Sequence, residues 1–227
     1  MLYSEKFYRN ISAIGRVRQG KIRDSSFCVV GLGGTGGFAL ECLLRLGVEN
    51  LVVFDHDRIE LGNFNRQLLA TDDTIDTKKS DAAISRARSI NKNAKIKKSG
   101  RFDPGSAGKI ADCDVVIDAT DTIAAKAIVA EACREKGIPY VFCSASGSKG
   151  MVSVFIGYRF ARAFQVDRKK LESRSCASVL CPAVSLAGTL AASQALNLVI
   201  GKPVIRAPDA LFFDIFDRRL FWRARLG

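Results

Sequence analysis

The sequence predicts an α/β protein: a Rossmann-like, mostly parallel sheet with helices on both faces, plus a small antiparallel C-terminal extension. Three observations carry this. Residues 27–30 (FCVV), 51–54 (LVVF) and 113–118 (CDVVID) are short apolar, β-branched runs, the pattern of strands covered on both faces. Stretches of helical length and periodicity alternate with them, as right-handed crossovers between parallel strands require. The first run ends in a glycine cluster, Gly31, Gly33, Gly34 and Gly36, which opens a helix near Thr35. Gly31, Gly33 and Gly36 have the spacing of a dinucleotide fingerprint, in which missing side chains let backbone N–H groups approach a phosphate at the positive end of the helix.

The elements follow in order. Residues 4–15 read as a short helix with Phe7, Ile11 and Ile14 on one face and Gly15 as its stop; the basic segment 16–23 leads into the first strand. After the glycine loop, Phe38, Leu40, Leu43, Leu44 and Leu46 make the helix apolar, and Gly47 ends it. The second strand closes on Asp55, about 20 residues past the glycines, where a carboxylate accepts hydrogen bonds from ribose hydroxyls. Residues 56–77, rich in Asp, Asn and Thr, read as a loop of over twenty residues containing a helical turn, and such loops are usually functional. A helix over 78–91, strands over 94–98 and 113–118, a crossover helix over 124–136 closed by Gly137, and a strand over 139–143 complete a nucleotide-binding core assigned to 1–149. Residues 150–227 read as a β-ribbon (151–156 and 162–166), a polar, basic crossover (167–180), a long apolar helix from near Pro182, and a terminal hairpin (210–215 and 219–225). No linker divides the chain, so all 227 residues are expected to form a single domain.

Composition narrows the class. A 48% hydrophobic and 26% charged chain is a soluble globular one, and a net charge of +12 implies an anionic partner: nucleotides, an acidic protein or, non-specifically, nucleic acid. No motif supports specific nucleic-acid recognition. The seven cysteines are widely spaced and mostly sit in apolar segments, as in a reduced, cytoplasmic protein. With no C-x-x-C pair and one histidine, His56, no structural zinc is expected. The N-terminus has no apolar signal-peptide core, and polar residues interrupt the apolar stretch 181–200, which reads as a buried or dimer-interface helix rather than a membrane span.

Up to Asp55 nothing separates a dehydrogenase from an ATP-using enzyme, because NAD and ATP both carry a ribose and a pyrophosphate. The following residues do. Asp55-x-Asp57, Asn63-x-x-Arg66-Gln67, Lys79 thirteen residues past Arg66, and Thr120-Asp121 behind the fourth strand follow the G-x-G-G-x-G loop in order. With them the chain resembles the adenylating domain of the ThiF/MoeB/HesA family and the ubiquitin-activating enzymes, over residues 8–198 or most of its length. The resemblance implies an ATP- and Mg²⁺-dependent adenylyltransferase that activates a carboxylate as an acyl-adenylate and releases pyrophosphate.

That chemistry explains the residue types. Negative charge builds on the α-phosphate and on the departing pyrophosphate, and fixed cations stabilise it most in the transition state. Arg66 offers a planar fork and Lys79 a point charge. By resemblance both act on the triphosphate with Asn63 and Gln67, Asp55 takes the ribose beside Asp57, and Asp121 is implicated with Mg²⁺. Asp118 is either a weaker candidate or a cap on its strand end. Arg9, in Tyr8-Arg9-Asn10, matches an N-terminal arginine that reaches the partner subunit's ATP, which implies a homodimer. His56 is read as a loop residue, since a carboxylate nucleophile is already ionised at neutral pH.

Departures from the family bear on the substrate. Many members hold zinc with two C-x-x-C pairs, which this chain lacks, and in some a crossover cysteine joins the activated protein; Cys176 and Cys181 lie in that region with Arg174 nearby. The resemblance leaves two substrates: the C-terminal Gly-Gly of a ubiquitin-like sulphur carrier, or a small carboxylate, as in HcgE-like members that activate guanylylpyridinol for an iron-guanylylpyridinol cofactor. The alternatives are a NAD-dependent oxidoreductase, which leaves Arg66, Lys79 and Asp121 without a task, and a non-catalytic nucleotide-binding module.

Overall fold

A computed structural model of the chain describes residues 3–165 and 178–227. Three N-terminal helices, α1 (Tyr3–Lys6), α2 (Tyr8–Ile14) and α3 (Arg16–Asp24), precede β1 (Ser26–Val30), α4 (Gly34–Leu46), β2 (Asn50–Phe54), α5 (Lys79–Ile90) and β3 (Lys95–Ser99). Then come β4 (Val115–Asp118), α6 (Ile123–Lys136), β5 (Tyr140–Ser146), β6 (Lys149–Phe155), α7 (Phe160–Ala163), α8 (Cys181–Ile200), β7 (Asp209–Asp214) and β8 (Phe221–Arg225).

All eight strands share one sheet, ordered β3-β2-β1-β4-β5-β6-β7-β8. β1 to β5 run parallel, and β6, β7 and β8 are added antiparallel. Strand alternation divides the core. Val29, Val53, Ile117 and Val141 face α4, α5 and α8, whereas Cys28, Val52, Val116 and Phe142 face α6 and α7. Both faces are therefore covered, which is why these strands read as unbroken apolar runs.

Helix α8 closes the first face. It is long and apolar enough to cross a bilayer, yet Ala183, Ala187, Ala191 and Ala195, at helical spacing, are fully buried within the domain. Small residues bring it close to α4: a methyl group at Gly188 would overlap the Thr35 carbonyl oxygen and stand 3.0 Å from the Ala39 amide nitrogen. The bidentate pair of Arg86 with Glu41, at 2.8 and 2.9 Å, ties α5 to the same helix.

The basic segment 16–23, to which the sequence assigned no element, is helix α3: Gln19 and Ile22, three apart, are buried while the basic residues stay in water. One expectation fails. Residues 162–166 do not form a strand where they are described; α7 occupies that place, and Val166 lies outside the described residues. Phe160 and Phe164, one helical turn apart, have ring centroids 4.6 Å from each other and pack together on Phe142 at 5.9 and 4.9 Å, whereas in a strand residues four apart are separated by about 13 Å. The strands that β6 pairs with are β5 and β7.

Gly188→Ala forces backbone apart at the α4–α8 contact. The expected loss is about 1–3 kcal/mol in urea unfolding; Thr189→Ala on the exposed flank should change stability by less than about 0.5 kcal/mol.

Candidate functional site

Parallel strand order reverses between β1 and β4, so the loops that leave their carboxyl ends diverge and open a crevice, the usual ligand position in such sheets. The glycine loop leaves β1 there. Gly31 has φ +86°, and a Cβ on it would stand 2.8 Å from the Ala119 carbonyl oxygen, just beyond β4. A Cβ on Gly36 would overlap the Gly31 carbonyl, so the loop and the first turn of α4 lie backbone on backbone. The cap residue of α4, Gly33, supplies no side-chain hydrogen bond, which leaves the first amides of the helix open to an anion.

Asp55 fixes this loop. Its Oδ2 accepts from the Leu32 amide at 2.7 Å and its Oδ1 from the Asp57 amide at 2.8 Å. A second pair lies beside it: buried Lys79 donates from Nζ to Asp57 Oδ2 at 2.9 Å, while the Lys79 amide donates to the Asp57 carbonyl at 3.0 Å. Burial raises the Asp57 carboxyl, but the Lys79 ammonium outweighs it and holds the group below the usual carboxylate range. His56 bridges this cluster to the next loop, with Nε2 2.8 Å from an Arg101 Nη and 3.2 Å from Asp57 Oδ1.

The long loop supplies the opposite wall through two 3-10 turns at Leu61–Asn63 and Asp72–Thr74. Asn63 Oδ1 accepts from the Glu60 amide at 3.2 Å and caps the first turn. Gln67 is 7% exposed; its Nε2 would lie 3.8 Å from a Cβ on Gly33, and its Oε1 has no hydrogen-bond partner among the described residues. A buried amide with an open oxygen beside the glycine loop suits a polar ligand group. Arg66, half-buried, donates from one Nη to the Gly62 carbonyl at 2.7 Å and to Asn65 Oδ1 at 2.8 Å, and no carboxylate among the described residues pairs with it.

Asp121 follows the end of β4, exposed and without a hydrogen-bond partner among the described residues. Asp55, His56 and Asp57 place ligand atoms within 4.8 Å of one another, but Asp55 and Asp57 already serve backbone amides and Lys79. The open Asp121 carboxylate is the better fit for a hard cation bridging to phosphate.

The structure thus brings together the glycine loop, Asp55, Asp57, Gln67 and Lys79, with Arg66 and Asp121 on the adjoining turns. Arg9 is elsewhere. It lies on α2, whose Asn10 side chain donates to the Arg45 carbonyl at the C-terminal end of α4, a helix length of about 20 Å from the glycine loop. There Arg9 lines a groove of about 430 Å³ with Lys6, Tyr8 and Arg86. Cys181, half-buried, begins α8, and Cys176 and Arg174 lie outside the described residues. Sequence reasoning passed over Lys126 and Tyr140 beneath the Asp121 turn; the available signal was a lone lysine among alanines in the crossover helix.

An open helix N-terminus, unpaired and tethered cations and a free carboxylate at a topological switch point define a nucleotide-binding α/β protein suited to phosphate chemistry. Over residues 7–226 the chain matches the model of the ThiF family, and it belongs to that family. It is 34% identical over 190 residues to the sulfur carrier protein ThiS adenylyltransferase of Escherichia coli, covering 81% of this chain and 75% of that one. It is 28% identical over 221 residues to the SAMP-activating enzyme E1 of Haloferax volcanii, covering 94% and 82%. The molybdopterin-synthase adenylyltransferase of Escherichia coli is 29% identical over 189 residues, covering 81% and 76%. These relatives are enzymes of the ThiF and MoeB type. Among solved structures, Escherichia coli MccB with ATP superposes with a TM-score of 0.83 at 14% identity, covering 98% of this chain and 72% of that one, which supports the fold.

Because the Asp57 carboxyl is lowered in the folded protein, its contribution to stability is complete above its unfolded value of about 3.9 and is lost as pH falls through the lower folded value. Urea unfolding of the Asp57→Asn variant should therefore show a smaller loss of stability between about pH 5 and about pH 2 than the parent. An identical slope in both proteins would mean that Lys79 does not hold Asp57 ionised.

Proposed function

We propose that the protein is an ATP-dependent adenylyltransferase that activates a carboxylate, and that the carboxylate is the C-terminal Gly-Gly of a ubiquitin-like sulphur carrier. The observation that carries this reading is the gathering of open α4 amides and Lys79 at the glycine loop, with Arg66 and Asp121 on the adjoining turns. Adenylyltransferases for ThiS and for molybdopterin synthase among the relatives support the substrate class, as does a +12 charge suited to an acidic partner.

In this reading the α4 amides seat the phosphates with Gln67 Nε2, beside Gly33, as a further donor, and Asp55 keeps the loop shaped while its remaining lone pairs face the ribose. A carboxylate oxygen of the substrate attacks the α-phosphorus, a new P–O bond forms, and the α–β anhydride bond breaks with its electron pair leaving on pyrophosphate. Arg66 and Lys79 hold the charge that accumulates on the non-bridging and leaving oxygens. Asp121 would hold a Mg²⁺ ion, which would add Lewis-acid stabilisation of the same charge. The cations are pre-placed: Lys79 is tethered by Asp57, and Arg66 by Gly62 and Asn65. No general base is required, because the nucleophile is a carboxylate at neutral pH.

Arg9 enters through a second copy. At the far end of α4 from its own glycine loop, it serves a triphosphate only across a homodimer. The enzyme acts in the cytoplasm as a single domain. A small carboxylate such as guanylylpyridinol is the second substrate class, favoured by the absence of C-x-x-C pairs from the sequence.

Exchange of labelled pyrophosphate into ATP tests the proposal. Exchange should require a carboxylate, either a Gly-Gly-tailed carrier or one of a panel of small acids, and should fall about 100-fold or more in Arg66→Ala and Lys79→Ala. Exchange that is indifferent to both substitutions would sink the assignment. NAD binding with no ATP binding would restore the oxidoreductase alternative.

A further inference from the structure

A charged cluster lies in the core directly under the Asp121 turn. Asp118 is fully buried and Lys126 is 2% exposed. Lys126 Nζ donates to the Cys143 carbonyl at 2.9 Å and the Asp118 carbonyl at 3.4 Å, stands 3.7 Å from Asp118 Oδ1, and lies 4.9 Å from the centre of the Phe142 ring. Tyr140 Oη donates to Asp118 Oδ2 at 2.7 Å, and the Cys143 thiol donates to the Asp118 carbonyl at 3.2 Å. Burial pushes that thiol up to about 12, against the pull of Lys126, so it stays a neutral donor at physiological pH.

Removing two charges from water is costly, and apolar side chains of similar volume in place of both Lys126 and Asp118 would fill the same space without that cost. What the cluster gains is direction. With Oδ2 engaged by Tyr140 and its charge balanced by Lys126, Asp118 presents Oδ1 upward to the Thr120 amide at 2.8 Å and the Thr120 hydroxyl at 2.7 Å. On the other side of Asp121, Thr122 caps α6 by accepting from the Ala125 amide at 3.2 Å. Asp121 is therefore an exposed residue between two anchored threonines, one of them hung on a buried ion pair.

We infer that Lys126, Asp118 and Tyr140 are positioning residues that set the backbone of the Thr120-Asp121-Thr122 turn and thereby aim the Asp121 carboxylate at the crevice. This rests on Asp121 being the carboxylate that meets Mg²⁺ with the nucleotide. Outer partners of metal-binding groups commonly matter in this way, because a ligand fixed in direction loses less freedom when the ion arrives.

The test combines a ligand-free readout with a binding one. Tyr140→Phe keeps the ring packed on Phe155 and Phe160 and removes only the hydroxyl. Amide hydrogen exchange at Thr120, measured without nucleotide, should speed up about tenfold in this variant. By calorimetry, the gain in ATP affinity on adding Mg²⁺ should shrink about tenfold in Tyr140→Phe and at least as much in Lys126→Met. ATP affinity in chelator should stay within about twofold, and Lys126→Arg should keep most of the gain. If exchange at Thr120 and the Mg²⁺ gain are unchanged in Tyr140→Phe, the inference is overturned. Equal losses with and without Mg²⁺ would overturn it too, since they indicate general damage. Asp121→Asn separates the two levels: loss of the Mg²⁺ gain there, with none in the cluster variants, refutes only the positioning role, while a retained gain removes the Asp121 assignment itself.

Discussion

The structure depends on one close approach, where the chain leaving β1 passes under the chain leaving β4. Gly31 turns with a positive φ directly against the Ala119 carbonyl, and Gly36 brings the first turn of α4 onto Gly31. Side chains at these positions would separate the backbones, and the helix N-terminus would no longer face the crevice. Asp55 completes the arrangement by holding the Leu32 amide, so the second strand fixes a loop that belongs to the first. The shape of the glycine loop is thus a product of three strand ends, and it exists only when their register is right.

Around that seat the acidic residues divide by task. Asp55 binds backbone, Asp57 binds Lys79, and Asp118 binds Tyr140 and Thr120 near Lys126. Each fixes geometry: Asp55 leaves the α4 amides open, Asp57 holds Lys79 in place, and Asp118 leaves the Asp121 carboxylate open. This division suits a reaction whose catalysis is electrostatic, because groups aimed before the substrate arrives need not reorganise as charge develops.

Function draws on both halves of the chain. α8, far along the sequence, packs along α4, and Val184 lies against Gly34 at the start of the phosphate helix. The antiparallel strands continue the same sheet rather than forming a separate layer.

Local patterns made most of the fold legible. Two-faced apolar runs marked the buried strands, Gly47 and Gly137 stopped α4 and α6 in the left-handed conformation, and the glycine spacing announced the phosphate loop. Helix α3 was missed because only Gln19 and Ile22 turn inward, too few for a visible apolar stripe, and α7 because residues four apart share a face in a strand as well as in a helix, and only the direct ring contact of Phe160 with Phe164 tells the two apart. The residue types at the site were likewise readable, since adenylation needs cations, a carboxylate and bare backbone in a known order. By itself the sequence determined the fold class and the family, and it named Asp55, Asp57, Gln67 and Lys79, which the structure gathers around the glycine loop. Only the tertiary structure decided which are free and which are tethered, that Arg9 stands at the end of α4 away from the glycine loop, and that Lys126 and Tyr140 pack around Asp118 below the Asp121 turn. Those facts depend on contacts between strand ends and helices distant in sequence, and no local pattern of residues records them.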